Sequence, residues 1–398
     1  MPAKLIAFED ARALVLEHAK PLSAQAVALG DALGRVLAEE ITAPENVPAF
    51  DNSAMDGFAV RAADSAAGAR LRIVGESRAG TPSPVGVGAG EACAISTGAA
   101  IPAGADAVVR VEDTRRSNGE VELLVAVEHD RDVRHAGDDV RAGEPVLVAG
   151  LRIGPAELGL LASAARASVR VGRRPRVALV TTGDELVGVE EPLRPGAVRN
   201  SGRYVIPALV TAAGGEMASI AHARDDPHVV ADAIATALEA DVAVITGGMS
   251  VGVHDHVGEA LDTLGVTTHF AGVALKPGKP TSFGSRGETL VFGLPGNPVS
   301  SLMTFLLFAT PALHALAGES PQRIRTQAIL DEDCELTPGR MHAARCKLRL
   351  EADGWHASTT GPQSSHILSS MLGADAIALI PAGDGWLAAG AAVTVELL

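Results

Sequence analysis

Aromatic residues are scarce in this chain, 3% of 398 residues, with a single tyrosine, Tyr204. A stacking platform for single-stranded nucleic acid has almost nothing to be built from. Positive charge is also short: 33 Lys+Arg stand against 48 Asp+Glu, a formal charge of −15. That balance argues against a broad nucleic-acid-binding face and leaves room only for a local basic pocket. Cysteine is nearly absent. Cys93, Cys334 and Cys346 lie far apart with no CxxC spacing, so neither a disulfide framework nor a zinc knuckle is expected, and a reducing, cytoplasmic compartment fits. The first twenty residues carry charges through their apolar part, unlike a signal peptide. One long uncharged apolar run exists, Val299 to Ala317. Ser300, Ser301, Thr304, Pro311 and His314 interrupt it, so a buried helix is expected there rather than a membrane span.

What is present is an ordinary globular composition, 47% hydrophobic and 20% charged, which excludes global disorder. The length implies two to four domains, because single cores rarely grow past roughly 250–300 residues. Residues 7–19 read as an amphipathic helix and Asp31 to Glu40 as a second. From about 58 to 150, short apolar runs alternate with Gly/Pro punctuation, a β texture with long loops. Residues 154–167 look helical again. Between 175 and 318, strand-like runs such as VALV and VAVI alternate with amphipathic helices, the pattern of a parallel sheet with right-handed crossovers. After about 322 the texture returns to β, consistent with a small barrel or sandwich.

In an open α/β sheet, ligands bind at the carboxyl ends of the strands. Five loops stand there: Thr181 to Glu185; Arg224-Asp225-Asp226; Thr246 to Gly252 followed by Asp255; Lys276 to Pro280; and Leu294 to Pro298. They combine glycines, which let backbone N–H groups approach an anion, with carboxylates and lysines. Carboxylates beside a phosphate site usually hold Mg²⁺. Lys276 and Lys279, stiffened by prolines, suit an oxyanion. The set reads as a site for a small, multiply anionic ligand with Mg²⁺. Each loop taken alone has a bland reading as a rigid turn, and Asp226 is expected to be only a helix N-cap. His254 and His256 lack further spaced ligands and are discounted as a zinc site. Upstream, Val47 to Phe58 and Arg131 to Asp139 are polar, charge-dense stretches that resist a structural reading, the second having a solvated turn with local ion pairs as its bland alternative.

The blocks VPAFDNSAMDGFAV, STGAAIPAGADAVVRVED, TTGDEL, RDDP, TGGMSVGVHD, LKPGKP, LPGNPVSS and GPQSSH, in that order, resemble the molybdopterin molybdenumtransferase family (MoeA-type, related to the C-terminal part of gephyrin). The resemblance implies an α/β multidomain subunit with a central α/β domain of the molybdopterin-binding type, a β-rich inserted domain, a mixed N-terminal domain and a C-terminal β-barrel. The corresponding ranges are 1–48 plus 141–172, 49–140, 173–320 and 321–398. It implies a homodimer with sites shared between subunits, a substrate pair of adenylylated molybdopterin and molybdate, Mg²⁺ as cofactor, and AMP as a product. The adenylyltransferase of the same pathway would be a possible partner.

Carried over motif by motif, the implied catalytic residues are Asp56, Thr97, Arg134, Glu185, Asp225 and Asp255, the last three also as metal ligands. The implied substrate-binding residues are Asp139, Ser250, Lys276, Lys279, Pro295, Asn297, Pro298 and Ser365. Two departures stand out. The arginine stretch runs Gly137-Asp138-Asp139 where the family has Gly-Glu-Asp, so Asp138 competes with Asp139. His256 stands where the family often has an aromatic residue. Two other readings belong to the same resemblance, a gephyrin-like scaffold and the adenylyltransferase itself. The upstream DNSAMDGFAV block favours the transferase over the latter, which would need only the 175–318 segment.

Overall fold

The computed structural model describes residues 5–248, 256–320 and 324–398. Its centre is a six-stranded sheet in the order Glu216–Ala223, Arg176–Thr182, Val242–Thr246, Thr289–Leu294, Ser282–Arg286, Thr267–Ala271. The first four strands are parallel. The last two are antiparallel, so the sheet is mixed at one edge rather than parallel throughout. Ser282–Arg286 was not expected from the sequence: SFGSR has too few apolar residues to read as a strand, and its hairpin with Thr289–Leu294 supplies the pairing.

Side chains on this sheet alternate between two cores with the two-residue period of a strand. Val177, Leu179, Val242 and Val244 face the core that holds Ile206 and Val210 of the helix Gly202–Ala212 and the long apolar helical run. Ala178, Val180, Ala243 and Ile245 face Val230 and Ile234 of Pro227–Ala237 and Val257 of His256–Thr263. Strands buried on both faces need continuous apolar runs, which is why VALV and VAVI read as they do.

The long apolar run is helical from Pro298 to Leu316, with a π-helical stretch at Phe305–Ala309. It is long and apolar enough to cross a membrane, but 78% of its apolar window is buried inside the protein, as expected for a core helix. The helix Phe8–His18 also packs here: Phe8 meets Phe308 edge-on, with ring centroids 5.5 Å apart.

The expected helix from Asp31 to Glu40 does not form. The chain makes one 3-10 turn at Leu29–Asp31, turns through Gly34 at φ +73°, and then runs extended, with Val36 bridging to Arg152 and Leu37 to Val171. The spacing of Ala32, Val36 and Leu37 imitates a helical face. All three are instead buried in a small core with Ile153, Leu161 and Val169 or beside it, and long-range pairing overrides the local pattern. The helix expected at 154–167 is Pro155–Ser163. It ends just before Ala165, which sits at φ 54°.

Upstream, Gly57–Val60, Arg70–Ser77, Glu91–Ile95, Ala107–Arg110, Thr114–Ser117 and Glu120–Leu123 form a second six-stranded sheet. At the C-terminal end, Met341–Glu351, Gly354–Thr359, Arg325–Leu330, Ala392–Leu397 and Ala376–Ile380 close into a five-stranded barrel, because Met341–Glu351 pairs with both Gly354–Thr359 and Ala376–Ile380. Closure removes the exposed sheet edges.

Candidate functional site

The first parallel strand, Arg176–Thr182, has Glu216–Ala223 on one side and Val242–Thr246 on the other. The connections therefore leave in opposite directions, and the crevice at the carboxyl ends of these strands is where an open α/β sheet receives a ligand. Two glycine turns meet there. Gly183 lies at φ 134°, Gly247 at 89° and Gly248 at 62°. A Cβ on Gly247 would stand 2.7 Å from the Thr182 carbonyl oxygen, and one on Gly296 would stand 3.6 Å from the Gly247 Cα. The loops after the first and third parallel strands are thus packed backbone against backbone, which only glycine permits at the φ of Gly247, and the loop after the fourth lies in ordinary van der Waals contact with it.

Glu185 and Asp225 rise from two of these strand ends, both exposed. Asp184 links their loops: its N–H donates to Asp225 Oδ2 at 3.3 Å, and the Asp225 N–H donates back to Asp184 Oδ1 at 3.4 Å. Asp184 therefore acts as a brace between the two loops. The sequence placed Asp184 only within a candidate ligand loop. Asp226 does cap its helix, accepting from the N–H groups of His228 and Val229, and these bonds hold its carboxyl below the usual range. Ser250 and Asp255 lie outside the described residues.

Pro298 opens its helix at the first turn, directly after Asn297. The Asn297 amide donates to Ser365 Oγ at 3.0 Å, and the Val299 N–H donates to the Ser365 carbonyl at 3.1 Å. The barrel's GPQSSH segment is thereby fixed against the loop that carries Pro295. Arg345, fully buried, holds that segment from behind. Its guanidinium donates to the carbonyls of Pro362 and Gln363 at 3.2 Å and to Ser370 Oγ, and burial lowers its pKa to about 10. Sequence reasoning passed over Arg345; an arginine between the apolar Ala344 and Cys346 was its only signal.

Lys276 pairs alongside His342 of the barrel and reaches Glu335 Oε2 at 3.5 Å. Lys279 is exposed at the end of the same loop. A Cβ on Gly278, at φ 117°, would lie 2.4 Å from Thr304 Cγ2, so this turn is pressed onto the apolar helix. His342 is 5% exposed, and burial, with a contribution from Lys276, lowers its pKa from 6.5 to about 4. As pH falls below 6.5, the unfolded chain takes up a proton that the folded chain refuses until about 4. His342 therefore leaves stability intact above that window and removes on the order of 3 kcal/mol across it. Urea unfolding at pH 7 and pH 4.5 should show the loss, and His342→Gln should flatten it.

Asp56, Thr97 and Arg134 are brought together elsewhere, at one end of the upstream sheet. Asp56 Oδ1 accepts the Thr97 N–H at 2.7 Å. Arg134 pairs with Asn52, and the Gly98 N–H donates to the Ser53 carbonyl. Arg134 is exposed. Asp138 is spent on its own turn, accepting the His135 N–H at 2.7 Å, whereas Asp139 is exposed with its carboxylate free of such a bond among the described residues. The Asp56–Thr97–Arg134 group makes no hydrogen bond or ion pair to Glu185 or Asp225 among the described residues.

Gly57, beside Asp56, has no room for a side chain. A Cβ there would lie 2.0 Å from the Val109 carbonyl oxygen. Gly57→Ala is expected to cost about 1–3 kcal/mol by overpacking and to displace Asp56. Thermal melting should show the loss, while Gly30→Ala, which meets nothing within 4 Å, should not.

Comparison with known proteins covers the same three regions. Residues 6–165 match the family described as MoeA N-terminal region (domain I and II), residues 178–315 the probable molybdopterin binding domain, and residues 327–398 the MoeA C-terminal region (domain IV). A molybdopterin molybdenumtransferase of Haemophilus influenzae is 33% identical, with 98% of each chain covered. One from Synechococcus elongatus is 37% identical, with 95% of each covered. The crystal structure of a molybdopterin biosynthesis moeA protein from Pyrococcus horikoshii OT3 is 29% identical, with a TM-score of 0.85 over 99% of this chain and 100% of that one. With relatives this similar along their whole length, and the glycine crevice of the α/β sheet within the matched molybdopterin binding domain, the chain belongs to the molybdopterin molybdenumtransferase (MoeA) family.

Proposed function

We propose that this chain inserts molybdate into adenylylated molybdopterin, yielding molybdenum cofactor and AMP, in the cytoplasm and as a homodimer. Its similarity to enzymes named molybdopterin molybdenumtransferase supports the reaction class. The observation that carries the site is the crevice where Gly247 packs against Thr182 and Gly296 against Gly247, with Gly183 beside the Glu185 carboxylate and Asp225 on the neighbouring loop. We also read the chain as four domains with the ranges 1–48 plus 141–172, 49–140, 173–320 and 321–398. The separate cores of the first unit, the upstream sheet and the barrel support that division, while Phe8–His18 of the first range packs into the α/β core.

The substrate is small and multiply anionic, and the crevice meets it with four kinds of group. Backbone N–H groups of the glycine turns can approach phosphate oxygens closely. Lys276 and Lys279 supply positive charge, and Asn297 with Ser365 supplies a hydroxyl–amide pair 3.0 Å apart. Glu185 and Asp225 offer hard carboxylate oxygens, the donor chemistry that Mg²⁺ takes, so these two residues fit that ion; Asp255, the third carboxylate that the sequence offers, lies outside the described residues. Bound there, Mg²⁺ would offset negative charge on the phosphoanhydride. The chain's own task is to orient the two anions and hold the leaving AMP phosphate. Thr97 and Arg134, with Asp56, complete the site from the partner subunit, Arg134 as a planar donor to oxyanions.

Incubation with adenylylated molybdopterin, molybdate and Mg²⁺ should release AMP; failure to do so with folded protein would overturn the reading. Lys276→Ala and Lys279→Ala should each weaken substrate binding, and wild-type affinity should fall as salt rises, because the contacts are charge–charge. Calorimetry that finds salt-independent binding would remove the lysines from the anion's shell.

A further inference from the structure

A second polar cleft lies at the opposite end of the α/β sheet. Strands Arg176–Thr182 and Glu216–Ala223 run parallel. The catalytic loops follow their carboxyl ends, whereas this cleft touches Arg173, Arg174 and Glu216 at or just before their starts. At about 3.3 Å per residue, the two places are roughly 20 Å apart. The cleft has a volume of about 560 Å³, ample for a small ligand. Its other wall comes from the first unit, through Gln25, Asp31 and Arg35.

Arg35 is the unusual member. It is only 8% exposed, yet among the described residues one hydrogen bond uses its guanidinium, from Nη2 to the Gly172 carbonyl at 2.8 Å. An arginine carries five N–H donors, and those of Arg35 not used on Gly172 lie along the cleft that it lines. Burial, together with the neighbouring Arg174 charge, lowers its pKa, while Glu216 opposes that shift. Arg173 is already neutralised, donating to both Asp241 oxygens at 2.7 Å. Arg174 is exposed and has no ion pair among the described residues.

We propose that this cleft is a binding site for a small phosphate-bearing anion, held between the guanidinium groups of Arg35 and Arg174 with Gln25 at its edge. Two guanidinium groups can grip one phosphate through several charge-assisted hydrogen bonds. Asp31 and Glu216 keep the empty cleft close to neutral, so affinity comes from directed donors rather than from a broad positive field. Because the two walls belong to different units of the chain, an anion here would tie the first unit to the α/β sheet, away from the catalytic crevice.

Pyrophosphate is the probe, measured by calorimetry against sodium chloride of equal ionic strength. The full-length Lys276→Ala/Lys279→Ala protein serves as background, so that binding in the catalytic crevice is suppressed. Binding should persist there and weaken about tenfold or more on adding Arg174→Ala, the loss expected for a charged hydrogen-bonding partner. Glu216→Gln, which removes an opposing carboxylate, should instead tighten it. Absence of pyrophosphate binding in the background protein, or binding indifferent to Arg174→Ala, would overturn the proposal. Weaker binding in Glu216→Gln would also overturn it, because Glu216 would then serve the pocket rather than oppose its ligand.

Discussion

Mixing inactive Asp56→Asn subunits with inactive Asp225→Asn subunits, by joint unfolding and refolding, is expected to restore about a quarter of wild-type AMP release. In a two-fold dimer with shared sites, one site of a mixed pair collects both lesions and the other is fully wild type. Random pairing makes half the dimers mixed, so a quarter of all sites recover. The expectation rests on the dimer proposed above and on a feature of the single chain. Asp56 is engaged with the Thr97 N–H at 2.7 Å and makes no hydrogen bond or ion pair to Glu185 or Asp225 among the described residues. A polar, charge-dense group on one unit and a carboxylate-lined crevice on another suit a composite site, since ligand sites favour such junctions. If both residues served one site within one chain, every site in the mixture would keep one lesion. Mixed dimers verified by mass, with no activity returned, would then reject the shared site.

Asp225→Asn by itself should lower AMP release by about 10²–10³ with little change in melting temperature. Its carboxylate is exposed, and its one backbone contact, from the Asp184 N–H, is long at 3.3 Å, so little stability depends on it. Carboxylates gathered for a metal or an anion repel one another, and neutralising one can even stabilise the fold. Glu185→Gln should behave alike. Asp226→Asn is the contrast: it keeps a side-chain oxygen for the helix cap, so activity should stay near wild type. A folded Asp225→Asn protein with normal specific activity would assign Asp225 to loop bracing with Asp184 instead.

Some of this molecule was legible residue by residue. The cap at Asp226 followed from an aspartate ahead of a proline at the first helical turn, a local rule that needs no tertiary information. The strands Arg176–Thr182 and Val242–Thr246 were readable because burial on both faces demands unbroken apolar runs. The apolar helix was readable as a core element because its serines, threonines and prolines are poor company for lipid. Ser282–Arg286 was not readable, since its glycine and polar residues become a strand only by pairing with Thr289–Leu294.

Composition and period determined the class of the chain: β texture around a doubly covered α/β sheet. The order of its motifs also determined the family. The tertiary structure alone decided which of those motifs meet. Ser365 reaches Asn297 across 68 residues, Thr97 reaches Asp56 across 41, and Asp184 braces Asp225 across another 41. It likewise decided that residues 31–40 run extended, where bridges to Arg152 and Val171 outweigh a helical spacing. The physical reason is common to all of these. A local pattern records only the face a segment must bury, whereas its partner across the sequence is selected by packing, which leaves no periodic trace in the segment itself.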